Sequence, residues 1–328
     1  MNETANSVEG QSEKHQEAPP IEPTFVEADG DNGSLDDTNR LSALPDDRTS
    51  PLEPMAVINK TAASRNEPMP HIQVAKRCDV GAIRERNEDS CLVFMSETGG
   101  HFPLMPFGLY IVADGMGGHQ DGHLASKTAS RMVARNIINK IYMPLLQEDG
   151  NPIQAPIQEV MTEAVQAAHH AIYNPDPEED GGTTLTSALI LGRRLYIAHV
   201  GDTRVYLKTD DKFETLTTDH SLVQRLQDVG QLTAEEATFY QYRHILLRAL
   251  GQGEEGEIEV DTYMRLLPKS GILLLCTDGL SGMITDRAME EILNQDVSLD
   301  QMADNLYEAA MAAGGYDNIT AILVQFRL

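Results

Sequence analysis

The chain has 328 residues, of which 41% are hydrophobic and 23% are charged, so it is long and apolar enough to bury a full-sized core. Its formal net charge is −26, because 51 acidic residues outnumber 25 basic ones. A nucleic-acid-binding protein needs a basic surface, so this charge argues against a nucleic-acid partner. We expect one large domain with an appendage.

The cysteines and the apolar runs indicate the compartment. Cys78, Cys91 and Cys276 are odd in number and form no CxxC pair, so the sequence suggests neither a disulfide framework nor a zinc knuckle. The first residues lack a basic start followed by an apolar run, and apolar stretches such as ILLLC at 272–276 are too short to span a bilayer. We therefore expect a cytoplasmic protein with no membrane contact.

Residues 1–70 differ in composition from the rest of the chain. They contain 14 acids against 5 bases, with recurring prolines and no apolar period. Such a segment cannot bury enough apolar surface to fold, so we predict a disordered acidic tail. It could be a partner-binding or autoregulatory arm or a plain solvating linker, and the composition does not separate these two.

From residue 71 to 328 the pattern becomes that of a folded domain. Apolar runs typical of strands occur at 91–94, 108–113, 184–191, 194–200, 204–207, 257–266, 271–276 and 319–326. Helical periodicity occurs at 124–146, 156–173, 286–294 and 299–313. Strands joined by short turns, with helix pairs between and after them, predict antiparallel sheets inside and helices outside.

Acidic residues recur at the ends of these strand-like runs, beside glycine or asparagine. They are Glu88, Asp89, Asp114, Asp202, Asp278 and Asp317. Any one of them could be a simple turn residue. If they converge on one sheet edge, however, they repel one another unless cations neutralise them.

The ligand type indicates which cation would bind. Oxygen ligands without cysteine favour hard ions, here Mg²⁺ or Mn²⁺ rather than zinc. Two such ions sharing a carboxylate can activate a water and hold a phosphoryl group, which predicts phosphate-ester hydrolysis. Arg84, four residues before Glu88, could supply a bidentate contact to the phosphate.

Eight motifs, in order and in spacing, resemble the PPM family of metal-dependent protein phosphatases, the type-2C class, and especially its bacterial branch. The motifs cover the chain after about residue 76 and are RERNED (84–89), ADGMGGH (113–119), GGTT (181–184), VGDTR (200–204), TDHSLV (218–223), LLRALG (246–251), CTDGLSG (276–282) and YDNIT (316–320). The resemblance implies an α+β fold, a four-layer α-β-β-α sandwich of two antiparallel sheets flanked by helix pairs. It also implies a serine/threonine phosphatase that opposes a bacterial Ser/Thr kinase and acts as a monomer.

The resemblance also implies roles for single residues. Asp114 would bridge two Mn²⁺ or Mg²⁺ ions, Asp278 and Asp317 would complete one site, and Glu88 with the Gly115 carbonyl would complete the other. Asp89 would act through water, and Asp202 with Asp278 would hold a third, weaker ion. Arg84 would bind phosphate. The segment from about 221 to 247 would be a mobile flap that shapes substrate access.

The general acid is left open by two departures from the family pattern. Met116 stands where eukaryotic relatives have a histidine, and His123 stands where bacterial relatives often have glutamate. We take His119 as the candidate acid, because a neutral imidazole can protonate a leaving oxygen near neutral pH. The alternative is a loop histidine that only contacts substrate or water. A zinc site at His119 and His123 is rejected, since the nearby glycines predict a loop.

Three other functions fit the sequence less well than catalysis by this domain. A catalytically silent phosphoprotein-binding regulator with the same fold would be expected to lose metal carboxylates, and here all of them are present. A narrow phosphatase for an anti-sigma-factor-antagonist-like protein fits less well, since Arg84 and the flap are present. A calcium-storage protein would need acids clustered in one loop, and the chain has no EF-hand spacing.

Overall fold

A computed structural model describes residues 70–97, 105–117, 121–147, 155–173, 181–253 and 256–328. These ranges fall in one compact unit that extends to the C-terminus. Residues 1–69 of the predicted acidic tail lie outside the described residues.

Twelve strands occur within the described residues. They are β1 His71–Asp79, β2 Ser90–Ser96, β3 Phe107–Ala113, β4 Gly115–Met116, β5 Gly182–Thr183, β6 Leu185–Leu191, β7 Arg194–Val200, β8 Arg204–Lys208, β9 Phe213–Thr215, β10 Asp261–Leu266, β11 Ser270–Cys276 and β12 Ile319–Arg327. The helices of the same ranges are α1 Asp121–Ile137, α2 Met143–Leu145, α3 Ile157–Ile172, α4 Leu222–Asp228, α5 Ala234–Thr238, α6 Asp278–Ser281, α7 Asp286–Leu293 and α8 Leu299–Ala312, with a π-helical turn Ile138–Tyr142 after α1.

The strands form two five-stranded sheets whose pairs are all antiparallel. The first sheet has the order β1-β12-β11-β8-β9, and the second has the order β10-β7-β6-β3-β2. A small additional pair joins β4 to β5. Strands β1 and β2 are therefore edge strands of different sheets.

Three apolar clusters fill the spaces between four layers. Side chains of α1 and α3, such as Val133 and Met161, pack on the second sheet. Val112 and Leu275 belong to the cluster between the two sheets. Side chains of α7 and α8, such as Leu306, pack on the first sheet. This is the predicted four-layer α-β-β-α sandwich.

The edges of the elements differ from the sequence prediction in two instructive places. The apolar run at 257–266 becomes a strand only from Asp261. The helix predicted from 124 begins earlier, at Asp121, and therefore contains Gly122, which was predicted to lie in a loop. A Cβ on Gly122 would approach the Gly115 carbonyl carbon to 3.0 Å, so a glycine is needed there for close packing rather than for a turn. No helix in the described part of the chain is both long and apolar enough to span a bilayer.

Candidate metal-dependent active site

Strand register in the second sheet places three of the acidic motifs at one end of that sheet. Ser90, directly after Asp89, pairs with Ala113, directly before Asp114. On the same side of the sheet, β6 begins at Leu185 opposite Val200, two residues before Asp202. The second sheet therefore presents these carboxylates along a single edge.

The first sheet presents its acidic residues at the corresponding edge. Cys276, the last residue of β11, pairs with Ala321 near the start of β12. Asp278 follows the first of these strands and Asp317 precedes the second, so they lie side by side. Arg84, in the loop between β1 and β2, donates a hydrogen bond from its guanidinium to Asp317 Oδ2 at 2.7 Å.

The backbone of Asp114 is fixed by two threonines of the GGTT motif. The Asp114 amide donates to Thr184 Oγ1 at 3.0 Å, and its carbonyl accepts from the Thr184 amide at 2.9 Å. The Thr183 hydroxyl donates to the same carbonyl at 2.9 Å. The sequence identified this motif only as part of the family pattern, and its role in holding Asp114 was missed.

Asn318 fixes the loop that carries Glu88. Its Oδ1 accepts from the Glu88 amide at 2.8 Å, and its Nδ2 donates to the carbonyls of Val80 at 3.0 Å and Arg86 at 2.9 Å. The side chain is buried, with 4% of its surface exposed. Sequence reasoning named only its neighbour Asp317, because hydrogen bonds between residues so far apart in the chain leave no local pattern.

Gly115 lies where the Glu88 loop and helix α1 come closest together. A Cβ at this position would meet the Gly122 carbonyl oxygen at 2.2 Å and the Glu88 carbonyl oxygen at 2.5 Å. The Ser126 hydroxyl donates to that Glu88 carbonyl at 2.5 Å. Only a glycine allows the two backbones to approach this closely.

The carboxylates interact electrostatically across the two sheets. Burial raises the pKa of Asp114 well above its usual range, and the neighbouring charges of Asp89, Asp278, Asp202 and Asp317 raise it further. Burial also raises the pKa of Asp278, as does the charge of Asp317, while a hydrogen bond with Asp114 opposes the rise. A cation bound among them would relieve this repulsion.

Asp89 is the most deeply buried carboxylate of the set, with 7% of its surface exposed. Burial raises its pKa well above the usual range. The Thr277 hydroxyl donates to its Oδ2 at 2.9 Å, while its Oδ1 is buried and has no hydrogen-bond partner among the described residues. A buried carboxylate oxygen without a partner fits a site that takes a cation or its water ligand.

The arrangement fits hard divalent cations by its donor chemistry, since its ligand set is carboxylate oxygen. Within the described ranges, however, no three His, Cys, Asp or Glu side chains already form a closed metal-binding group. One of these carboxylates, Asp317, is paired with Arg84.

The two ends of the segment predicted to be a flap are joined by a contact between their backbones. Ser221 and Leu246 form an isolated antiparallel bridge, and α4 and α5 lie between them. His244 in this segment lies near enough to Asp278 for its charge to lower the pKa of that carboxyl, against the larger effect of burial. Sequence reasoning did not single out His244, which belongs to none of the recognised motifs.

The other histidines have different roles. His199 and His220 are buried beside the acidic edge and are hydrogen-bonded: the Gly201 amide donates to His220 Nδ1 at 3.1 Å. His169 is buried and His170 is exposed. His119 lies outside the described residues, so its assignment as general acid stays a prediction. His123 is exposed in the first turn of α1.

Comparison with known proteins is consistent across sequence and structure. The family model "Protein phosphatase 2C" matches residues 85–314. The chain is 40% identical over 253 residues to "Serine/threonine phosphatase stp" of Listeria innocua, covering 77% of this chain and 95% of the relative.

Two solved structures illustrate the similarity of fold. A serine/threonine phosphatase of S. agalactiae aligns with a TM-score of 0.64 and 30% identity, covering 77% of this chain and 99% of the other. The catalytic domain of the serine/threonine protein phosphatase PstP, described as a complex with 2 manganese ions, aligns with a TM-score of 0.61 and 32% identity, covering 78% and 98%.

Proposed function

Because the chain belongs to the protein phosphatase 2C family, we propose that it hydrolyses phosphoserine and phosphothreonine in proteins at a centre of two Mn²⁺ or Mg²⁺ ions. It is a metal-dependent phosphoprotein phosphatase. The observation that carries the proposal is the convergence of the strand-end carboxylates of both sheets on one edge, with mutually raised pKa values.

The ligand assignment comes from the family resemblance, and this arrangement supports it. Asp114 would serve both ions, Asp278 and Asp317 would complete one site, and Glu88 and the Gly115 carbonyl would complete the other. When bound, the ions lower the pKa of a water molecule and neutralise charge on the phosphoryl group. This chain's residues hold those groups in place.

Two further carboxylates complete the assignment. Asp89 acts through a water, which its unpartnered Oδ1 would bind. Asp202, with Asp278, would hold a third and weaker ion. The charges of these two side chains act on each other, since the charge of Asp278 contributes to the raised pKa of Asp202.

Arg84 binds the phosphate oxygens of the substrate. Its side chain is 49% exposed, so it is accessible from solvent. A planar guanidinium can keep one carboxylate contact and still offer a fork to a phosphate. His119 is the candidate donor of the proton to the serine or threonine leaving oxygen.

The substrates are phosphoproteins, and we place the enzyme opposite a Ser/Thr kinase in a signalling pair. The relative from Listeria carries the name serine/threonine phosphatase, which agrees with this class of substrate. We further propose that the enzyme acts as a monomer in the cytoplasm.

The test compares hydrolysis of p-nitrophenyl phosphate and of a phosphothreonine peptide with Mn²⁺, with Mg²⁺ and with EDTA. Asp114→Asn and Asp278→Asn should abolish activity with either ion. Asp211→Asn is the matched control, because Asp211 is an exposed acid in the turn between β8 and β9, and it should keep the wild-type rate.

The alternative is a silent phosphoprotein-binding regulator with the same fold. Folded wild-type protein that is inactive with every ion would favour this alternative and contradict the phosphatase proposal. Activity that survives EDTA, or that survives both substitutions, would contradict the metal assignment.

A further inference from the structure

The turn that carries Asp202 packs closely against a neighbouring strand. Asp202 lies between β7 and β8, directly after Gly201, whose φ of +110° belongs to the left-handed region. A Cβ on Gly201 would meet the Thr184 Cβ at 2.5 Å, so only a glycine allows this approach. Thr184 also accepts the hydrogen bond of the Asp114 amide. The Asp202 turn is therefore in contact with a residue that supports a second proposed metal ligand.

On its other side, the turn is bound by His220, which pairs with both backbone groups of Gly201. The His220 amide donates to the Gly201 carbonyl at 2.7 Å, and the Gly201 amide donates to Nδ1 of the ring at 3.1 Å. An amide N–H can only donate, so Nδ1 is the acceptor and the ring proton is on Nε2. Nε2 lies 3.3 Å from Oδ2 of Asp261, which accepts its hydrogen bond. Both ring nitrogens are used, which fixes the orientation of the ring.

The position of His220 is in turn fixed from the side away from Gly201. Arg248 donates from Nη1 to Oδ1 of Asp261 at 3.1 Å, which holds the acceptor of the ring in place. The same Nη1 lies 3.3 Å from Nε2, but Nε2 carries the ring proton, so we assign the Arg248 donor to Asp261. The Leu247 amide donates to the His220 carbonyl at 2.7 Å, at the end of the segment predicted to be a flap. Since His220 is anchored in this way, it can hold the turn.

We propose that His220 is a positioning residue for the third metal ion. Through Nδ1 it fixes the Gly201 amide, and so holds the Asp202 turn in the position in which the carboxylate can bind that ion. His220 is not among the proposed ligands, and it acts only through Gly201. Residues that orient a metal ligand from behind commonly affect metal affinity strongly. The inference rests on the proposed function, which assigns Asp202 to the third ion.

A simpler role for His220 would be that of a buried side chain that only stabilises the fold, and the chain contains a matched control for this role. His169 is also buried, at 2% exposure, and its Nδ1 also accepts from a glycine amide, that of Gly251, at 3.1 Å. His169 lies on α3, and Gly251 is not adjacent in sequence to any proposed metal ligand. Loss of either ring should lower stability, but only loss of His220 should affect the Asp202 site.

Two substitutions of His220 separate the two hydrogen bonds of its ring. In His220→Asn, the side-chain oxygen lies close to where Nδ1 lies in the wild type, so it can accept from the Gly201 amide but does not reach Asp261. In His220→Gln, the side-chain amide extends to about the position of Nε2, so it can donate to Asp261 but offers no acceptor to Gly201. If the Nδ1 bond positions the turn, the asparagine should preserve the Asp202 site and the glutamine should not.

The first test measures hydrogen exchange of the Gly201 amide by NMR, in metal-free full-length protein with isotopically labelled glycine. It depends on neither metal binding nor catalysis. We expect slow exchange in the wild type, in His220→Asn and in His169→Gln, and fast exchange in His220→Gln. Fast exchange in the wild type, or slow exchange in folded His220→Gln, would overturn the proposal. If His220→Gln does not fold, the asparagine variant still decides, because fast exchange in folded His220→Asn would overturn the proposal as well.

The second test counts bound Mn²⁺ ions and measures their affinities by isothermal titration calorimetry. The ion whose binding is lost in Asp202→Asn identifies the third site. We expect this ion to bind about 10-fold or more less tightly to His220→Gln than to the wild type, with the other ions unchanged. His220→Asn and His169→Gln should bind it with nearly the wild-type affinity. Wild-type affinity in His220→Gln, or an equal loss in His169→Gln, would overturn the positioning role.

The failure of the proposed function would give a different result. A folded wild type that binds no Mn²⁺ ion dependent on Asp202 would contradict the assignment of the third site, and with it the role of His220 towards that ion. The exchange of the Gly201 amide would still decide whether the ring of His220 holds the Asp202 turn.

Discussion

Asp114 is a residue placed for function at a cost to the stability of the folded chain. Burial and four neighbouring carboxylates raise its pKa, so its ionised form is less favourable in the fold than in the unfolded chain. The protonated form of Asp114 contributes to the stability of the fold at low pH. This contribution is lost as the pH rises through the raised pKa that Asp114 has in the folded state. At neutral pH without metal, the charge of Asp114 therefore opposes folding.

This leads to a prediction for Asp114→Asn. In EDTA the variant should be more stable than the wild type, by on the order of 1 kcal/mol or more, because the neutral amide removes the repulsion. Urea unfolding at pH 7 measures this. With Mn²⁺ the order should reverse, since binding to the folded state stabilises only the protein that retains its ligand. A variant less stable than the wild type in EDTA would contradict this account.

His199 predicts a pH dependence of the opposite sign. Burial is the main cause that lowers its pKa from 6.5 to about 3. The neutral ring accepts from the Thr186 hydroxyl at 2.8 Å and donates to the Thr218 carbonyl at 3.0 Å. Because the pKa of His199 is lower in the folded state than in the unfolded chain, the neutral ring contributes its full stability above the unfolded-state pKa. That stability is lost as the pH falls below the unfolded-state pKa.

The corresponding variant is His199→Gln, which keeps a donor towards Thr218. It should be less stable at pH 7 by about 1–3 kcal/mol. Between pH 6 and pH 4, the wild type should lose up to about 1.4 kcal/mol more per pH unit than the variant. Urea unfolding at several pH values gives both slopes, with exposed His170→Gln as the control. Parallel slopes for wild type and His199→Gln would show that the ring is not held neutral.

Among single residues, sequence reasoning found the acids but not their supports. A carboxylate next to glycine at the end of an apolar run is a local signal, and several of them in order form a family pattern. Asn318, Thr183 and Thr184 support the acidic edge through hydrogen bonds to backbone atoms of other motifs. No local pattern encodes such contacts, because they exist only once the sheets have paired.

At the scale of elements, most long apolar segments were predicted well, while the short elements were missed and so was one long, largely exposed strand, β1. Strands β3 and β12 are fully or almost fully buried, and their continuous apolar runs identified them. Strands β4 and β5 have two residues each, and α5 has five, which is too short for a period to appear. Gly122 was assigned to a loop because packing against Gly115, rather than backbone propensity, determines the residue type there.

The loop between β1 and β2 is held in place by the side chain of Asn318, the residue directly before β12. Asn318→Ala removes one acceptor and two donors and leaves the Glu88 amide and two carbonyls without their partner. We expect a loss of about 1–3 kcal/mol in unfolding free energy. We also expect a higher Mn²⁺ requirement, because Glu88 loses its fixed position.

Asn318→Asp separates these two effects. The carboxylate keeps the acceptor for the Glu88 amide but cannot donate to Val80 and Arg86. Its Mn²⁺ requirement should lie between those of the wild type and the alanine variant, as measured by metal titration of p-nitrophenyl phosphate hydrolysis. An alanine variant that is destabilised but has the wild-type Mn²⁺ requirement would show that Asn318 has only a structural role.

For the whole molecule, strand β1 is the first element that the structure describes. Its nine residues pair in register with β12, from His71 opposite Arg327 to Asp79 opposite Ile319. Ile72 and Ala75 are buried at 6% and 3% exposure. Every residue proposed to bind metal or phosphate lies after this strand. Chain preceding β1 therefore contributes none of the assigned chemistry.

Two truncations test this boundary. Removal of residues 1–69 should leave p-nitrophenyl phosphate hydrolysis and the unfolding free energy close to those of the full chain, because β1 and the acidic edge remain intact. Removal of residues 1–79 should lower stability by several kcal/mol, since it uncovers β12 and removes two buried side chains.

Removal of residues 1–69 also decides between the two roles left open for the acidic tail. Unchanged aryl phosphate turnover with altered turnover of a phosphoprotein would indicate a partner-binding arm, and unchanged turnover of both would indicate a linker. A large loss of aryl phosphate turnover in folded protein lacking only residues 1–69 would show that the tail takes part in catalysis itself.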